Sequence, residues 1–140
     1  MAAALCIRPG GGGSRIAFHI QHGSYDTGTL VVALDELRRF LDGEKATLIW
    51  DGLPAHRSRK MGDWINQQRS WLVVERLPAY APDLNPVEGV WSSLKGMELA
   101  NLTSEHLGEL IATARAGIDR IRRTPNLAYG FLHGCGLKAW

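Results

Sequence analysis

At 140 residues, 45% hydrophobic and 21% charged, the chain has the size and mix of one globular domain with its own core. A formal charge of +2 permits a polyanionic partner without demanding one, and no apolar run approaches the roughly 20 residues of a membrane span. The apolar start at residues 1–7 is too short for a secretory leader, and Cys6 and Cys135 lack metal-type spacing and read as reduced thiols, so the expected location is cytoplasmic.

Residues 2–7 are apolar and suit a strand. Pro9 and the glycine run to Ser14 form a turn. Without a following Gly-Lys-Ser/Thr, that run is a poor phosphate loop. Residues 15–25 alternate, with Ile16, Phe18 and Ile20 on one side, which makes the first 25 residues a hairpin. Thr29 can cap a helix carried by Leu30, Leu34, Leu37 and Leu41 and closed by Asp42-Gly43. Residues 47–50 form a short apolar run without alternation, as expected of a strand covered on both faces. A helix is expected around residues 57–69, with Met61, Trp64, Ile65 and Gln68 on one side. A strand follows at 71–77, then a proline-rich loop, a helix at about 86–97 and a long helix at about 104–123 that Thr124-Pro125 stops. The order is that of an α/β domain without internal repeats.

Two carboxylates stand out. Asn85 is a good N-cap, Pro86 a favoured first helical residue, and Glu88 then falls where a capping-box acid belongs. Capping alone accounts for Glu88. It also shares a polar face with Ser92 and Lys95, beside the apolar stripe of Val87, Val90, Trp91 and Leu94, and the prolines before it pre-set the loop. A rigid loop that delivers a carboxylate is also what a metal site requires, and the two roles can coexist. Asp51 follows the apolar run Thr47-Leu-Ile-Trp50. It reads either as a turn aspartate in Asp-Gly or as an acid at a strand's carboxyl end, where sites of open α/β sheets collect. His56 can face the same place, although a surface or cap histidine is the simpler reading.

The segments "LIWDGLPAHRSRKM" and "RLPAYAPDLNPVEGVWSSLK" together resemble the catalytic core of bacterial insertion-sequence transposases of the mariner-like DDE superfamily. There a strand ends in Asp followed by Asn or Gly, with a downstream His. A Pro-x-Tyr-x-Pro-Asp/Glu-Leu-Asn-Pro-Val/Ile-Glu-x-x-Trp block then supplies the last acid. The later "ELANLTSEHLGELI" and "FLHGCGL" are similar to the family's tail, so the likeness spans nearly the whole chain. It implies a ribonuclease H-like α/β fold, a mixed sheet flanked by helices. It also implies DNA strand cleavage and transfer with Mg2+ or Mn2+, two ions about 3.5–4 Å apart flanking the scissile phosphate. By the motifs, Asp51 and Glu88 are the second and third acids and metal ligands. Asn85 and Pro86 position Glu88, His56 meets DNA or a metal-bound water, Lys95 meets a phosphate, and Trp91 belongs to the core. The implied partners are DNA (transposon ends and target) and a second copy or a full-length transposase.

The family's first Asp, on the strand that opens the sheet, has no match here. Asp26, Asp35, Glu36, Asp42 and Glu44 are the only acids before Asp51, and none is expected on such a strand. The expectation is therefore a single, partial catalytic domain over residues 1–140, without its first strand and without the N-terminal helix-turn-helix region. Alone it would be weak or inactive. The alternative is a non-catalytic fragment that binds DNA or transposase and modulates transposition, supported by Arg115, Arg120, Arg122 and Arg123 on or near the last long helix, although a solvated basic helix end that complements the dipole is the simpler reading of those arginines.

Overall fold

The structure, a computed structural model, describes residues 1–78, 81–100, 107–124 and 126–137. Chain contacts divide it into two compact units, Met1–Ala3 with Ala17–Asn85, and Ala4–Ile16 with Pro86–Trp140.

Strands β1 (Ala2–Ile7) and β2 (Ser14–His19) pair in a two-stranded sheet. Arg8 N donates to Gly13 O at 3.1 Å across the turn, where Gly10 and Gly13 take positive φ that other residues rarely adopt. The second strand ends at His19, well short of residue 25. Tyr25 folds back instead, its hydroxyl donating to His19 O at 2.9 Å, and Gly23 sits in the intervening bend at φ 81°.

In the first unit, α1 (Thr27–Phe40) starts at an aspartate rather than at Thr29. Asp26 Oδ1 accepts from Thr29 N, and Thr29 Oγ1 accepts from Asp26 N, both at 2.8 Å. The pair is a reciprocal capping box, so Thr29 is its third helical residue and not the cap. Leu34 is buried, and Leu30, Val31 and Leu37 from the same face pack on its cluster with Trp50 and Met61. Strand β3 (Ala46–Trp50) runs parallel to β4 (Leu72–Arg76), in register from Ala46 opposite Leu72 to Trp50 opposite Arg76. Between them lies α2 (Arg59–Gln67), the crossover that a parallel pair requires. Ser58 caps it, its hydroxyl accepting from Met61 N at 3.1 Å.

Residues 47–50 do not form the doubly covered strand expected of them. Leu48, Trp50 and Val74 face the helices, whereas Ile49 and Val73 are 58% and 53% exposed. Period-2 geometry assigns them to the opposite face, where no described element covers them. The described strands pair two by two, β1 with β2 and β3 with β4. The α/β class is as expected from the element order.

In the second unit, α3 (Val87–Met97) packs against both α4 (Leu107–Arg123) and α5 (Leu127–Gly134). Val90, Leu94, Ala114, Ile118, Ile121 and Ala128 are buried. The expected start of the long helix near Ser104 lies outside the described residues. The sequence pattern did not predict α5. Its segment "LAYGFLHG" carries two glycines and no clear helical period. Asn126 precedes it in the left-handed region at φ 63°. Phe131 of α5 covers Gly89 of α3, where an added Cβ would sit 2.6 Å from the ring.

Candidate active site

The carboxyl end of β3 brings Asp51 and His56 together. Leu77 N donates to Trp50 O at 2.8 Å, which closes the ladder one residue beyond β4. Asp51 is thus the first residue clear of the sheet. Its Oδ1 accepts from Leu53 N at 3.2 Å, an aspartate turn that bends the chain. Pro54 then opens a short 3-10 helix, Pro54–Arg57, in which His56 N donates to Leu53 O at 2.9 Å. That turn returns His56 to Asp51.

His56 Nδ1 lies 2.8 Å from Asp51 Oδ1 and 3.1 Å from the Asp51 carbonyl oxygen. A backbone carbonyl only accepts, so Nδ1 carries the proton and shares it between the two oxygens. The imidazole stacks on the Trp50 indole with ring centres 4.1 Å apart and planes 2° apart. The His56 side chain is 11% exposed and that of Asp51 49%. Histidine, turn and tryptophan therefore hold one carboxylate oxygen from within the protein, while the carboxylate itself meets solvent.

Trp50 Nε1 is buried and has no hydrogen-bond partner among the described residues. An orphaned buried donor costs about 1–3 kcal/mol. Trp50→Phe removes that donor and keeps an aromatic platform, so it is expected to change the unfolding free energy by less than about 1 kcal/mol in a urea titration, the relief offsetting lost contact area. A loss above about 3 kcal/mol would mean that the indole N–H is bonded in solution.

The other candidate acid opens α3. Pro86 has helical dihedrals, φ −60° and ψ −21°, and Gly89 N donates to Pro86 O at 3.1 Å. The helical conformation thus begins at the residue with no N–H to leave unpaired. Glu88 lies in the first turn, exposed, at the positive end of the helix dipole. Glu88, Ser92 and Lys95 are all exposed, and Val90 and Leu94 are 0% and 1% exposed, so the expected polar and apolar faces of α3 are those observed. Asn85 is half-buried, and Trp91 is half-buried rather than fully in the core. Tyr80 lies outside the described residues. Asp51, His56 and Asn85 belong to the first unit, Pro86, Glu88 and Lys95 to the second.

None of the earlier acids stands on an opening strand. Asp26 caps α1, and the Thr29 amide and hydroxyl hold its carboxyl below the usual range. Asp35 and Glu36 lie within α1, and Asp42 takes φ 56° in the turn that follows. Among the described residues, no three His, Cys, Asp or Glu side chains are grouped to hold a metal ion. In donor chemistry Asp51 does suit a hard divalent cation. Mg2+ takes one or two carboxylate oxygens and completes its shell with water and phosphate, and no described residue bonds Asp51 Oδ2.

The basic end of α4 is partly committed inside its own unit. Arg120 forms an ion pair with Glu98 and donates to Ser93 Oγ at 2.9 Å. Arg122 donates to Ile16 O at 2.9 Å. Arg115 and Arg123 are exposed. Half of the arginines expected to face a polyanion are therefore structural.

Residues 11–111, well over half of the chain and including Asp51, His56 and Glu88, match the family model for DDE superfamily endonucleases. The chain belongs to that family. No curated protein and no solved structure matches it. As a DDE endonuclease domain it falls in a family that cuts DNA and generally uses divalent metals, which agrees with the family reading of the two quoted motifs. No helix among the described residues of this endonuclease domain is long and apolar enough to cross a membrane. The motifs did not reveal the Trp50 platform, the Leu53 amide or the Ser58 cap. The one sequence signal for the first two is the aromatic residue directly before Asp51, with a proline-led turn returning a histidine to it.

Proposed function

We propose that this DDE endonuclease domain is the catalytic portion of an insertion-sequence transposase of the mariner-like type, cutting and joining DNA strands. The observation that carries the reading is the Asp51 carboxylate at the end of β3, with Oδ1 tied to two internal donors and the group half exposed. Asp51 and Glu88 are the second and third acids of the DDE set and the protein ligands for Mg2+ or Mn2+. When bound, the cation offsets the negative charge that develops on the scissile phosphate. Asn85 and Pro86 fix where α3 begins and so where Glu88 points. Lys95, exposed on the same face of α3, contacts a backbone phosphate. The bound DNA is transposon end or target, and its affinity falls steeply with salt. With no first acid assigned, the chain alone is a weak nuclease.

The test is a Mn2+ titration of the full chain followed by water proton relaxation, in parallel with nicking of a supercoiled plasmid. Wild type is expected to bind Mn2+ weakly and to nick only slightly above background. Asp51→Asn and Glu88→Gln are each expected to weaken Mn2+ binding about tenfold or more and to bring nicking to background. Binding and nicking unchanged in both variants would overturn the assignment. Vigorous nicking by wild type would show that the first acid is among these residues.

A further inference from the structure

Resting on the assignment of Asp51 as a metal ligand, we infer that His56 is a positioning residue that acts through Asp51: its Nδ1–H and the Leu53 N–H fix Oδ1, so that Asp51 presents only Oδ2 to a divalent cation. Sequence reasoning gave His56 a direct contact with DNA or with a metal-bound water. The geometry assigns its Nδ1 elsewhere.

Asp51 Oδ1 receives His56 Nδ1–H at 2.8 Å and Leu53 N–H at 3.2 Å. Two donors converging on one carboxylate oxygen leave it little capacity for a cation, whose charge those donor hydrogens would oppose. They leave the other oxygen at a defined angle. An aspartate free to rotate about χ2 would offer either oxygen or both, and a small cation demanding octahedral geometry tolerates such freedom poorly.

The histidine is itself fixed. Its ring lies flat on Trp50, 4.1 Å away, with the side chain only 11% exposed. The second contact of Nδ1, with the Asp51 carbonyl at 3.1 Å, locks the ring against rotation and selects the Nδ1–H form. Trp50 is in turn anchored in the cluster with Leu34 and Met61. Position is thus handed outward in steps, from the core to the indole, to the imidazole, to the carboxylate. Such outer contacts typically govern metal affinity by 10–100-fold.

Two near-isosteric replacements separate this role from a direct one. Asn places its amide nitrogen where Nδ1 was, and Gln places its amide nitrogen where Nε2 was. Both lose the stack on Trp50, so any folding defect moves both alike, and their difference reports which nitrogen matters. Mn2+ affinity of the full chain is read by water proton relaxation, with 15N-histidine spectra of wild type and Asp51→Ala alongside. His56→Asn is expected to keep Mn2+ affinity within about threefold of wild type, and His56→Gln to lose about tenfold or more. The His56 nitrogen shifts are expected to report the Nδ1–H form in wild type and, because the residue-51 carbonyl remains, in Asp51→Ala too, where the Nδ1 signal moves as the donor loses its carboxylate partner.

The opposite order, with His56→Gln near wild type and His56→Asn weakened, would overturn the inference in favour of a role for Nε2. Equal affinities for wild type and both variants would overturn it in favour of no metal-directed role. In each case a wild type that binds Mn2+ leaves the functional assignment of Asp51 standing. A wild type that leaves Mn2+ unbound sinks both, and the nitrogen shifts then report a His–Asp contact without a metal purpose.

Discussion

Met61→Ala is expected to lower the unfolding free energy by about 2–5 kcal/mol, the usual range for truncating a buried long apolar side chain. Met61 is 0% exposed and sits in the cluster with Leu34 and Trp50, the point where α1, α2 and β3 meet. The change removes three heavy atoms, Cγ, Sδ and Cε, from a position with no exposure to solvent. The range is a large share of the roughly 5–15 kcal/mol that holds a typical domain together. A urea titration monitored by tryptophan fluorescence measures it, because Trp50 and Trp64 belong to the same cluster. Met61→Leu nearly conserves volume and is expected to cost less than about 1.5 kcal/mol. If Met61→Ala costs no more than Met61→Leu, the cluster relaxes to fill the gap and does not anchor Trp50 rigidly. The stack under His56 would then be a loose support for Asp51, so this stability measurement also bears on the site.

What the sequence revealed, and what it did not, follows from the range over which each force acts. Helices α1 to α4 were legible because their apolar residues recur at helical spacing and a single buried face suffices to hold them. The end of β2 was not, since alternation continued through Ile20 while Gly23 and the Tyr25–His19 contact ended the strand. The helix α5 was invisible locally, because Gly130 and Gly134 weaken its propensity and it depends on α3, where Phe131 covers Gly89. At the candidate site the residue types were legible and their bonding was not. Asp51 and His56 were readable as a pair from a motif six residues long, whereas the carbonyl contact, the stack on Trp50 and the role of Leu53 N–H depend on a 3-10 turn that no periodicity announces.

Gly117→Ala is the second large effect expected, and its sign runs against helix propensity. In an exposed helix this change gains about 1 kcal/mol. In α4 an alanine Cβ at this position would lie 2.5 Å from Leu94 Cδ2, 2.7 Å from Glu98 Cδ and 2.8 Å from Glu98 Oε2. Leu94 is 1% exposed and has nowhere to go. Glu98 is held by Arg120, through the ion pair and through Nη2 to Oε2 at 3.1 Å. Relief therefore requires α3 and α4 to separate or the Glu98–Arg120 pair to open, and overpacking of this kind costs about 1–3 kcal/mol. The net expectation is destabilisation at neutral pH, with a signature in its pH dependence. The hydrogen bond from Arg120 holds the Glu98 carboxyl below its usual range, with burial opposing. A depressed folded pKa means that the pair's contribution is present above the unfolded carboxylate value, about 4.3, and is lost as pH falls through the lower folded value. If Gly117→Ala opens the pair, the gap between variant and wild type is expected to narrow as pH drops from 7 towards about 3, because wild type then loses what the variant already lacks. A gap that stays constant across that interval would place the whole cost in the packing of Leu94. A variant more stable than wild type at pH 7 would show that α3 and α4 yield at no cost, and that the close approach at Gly117 is not what holds the Glu98–Arg120 pair in place.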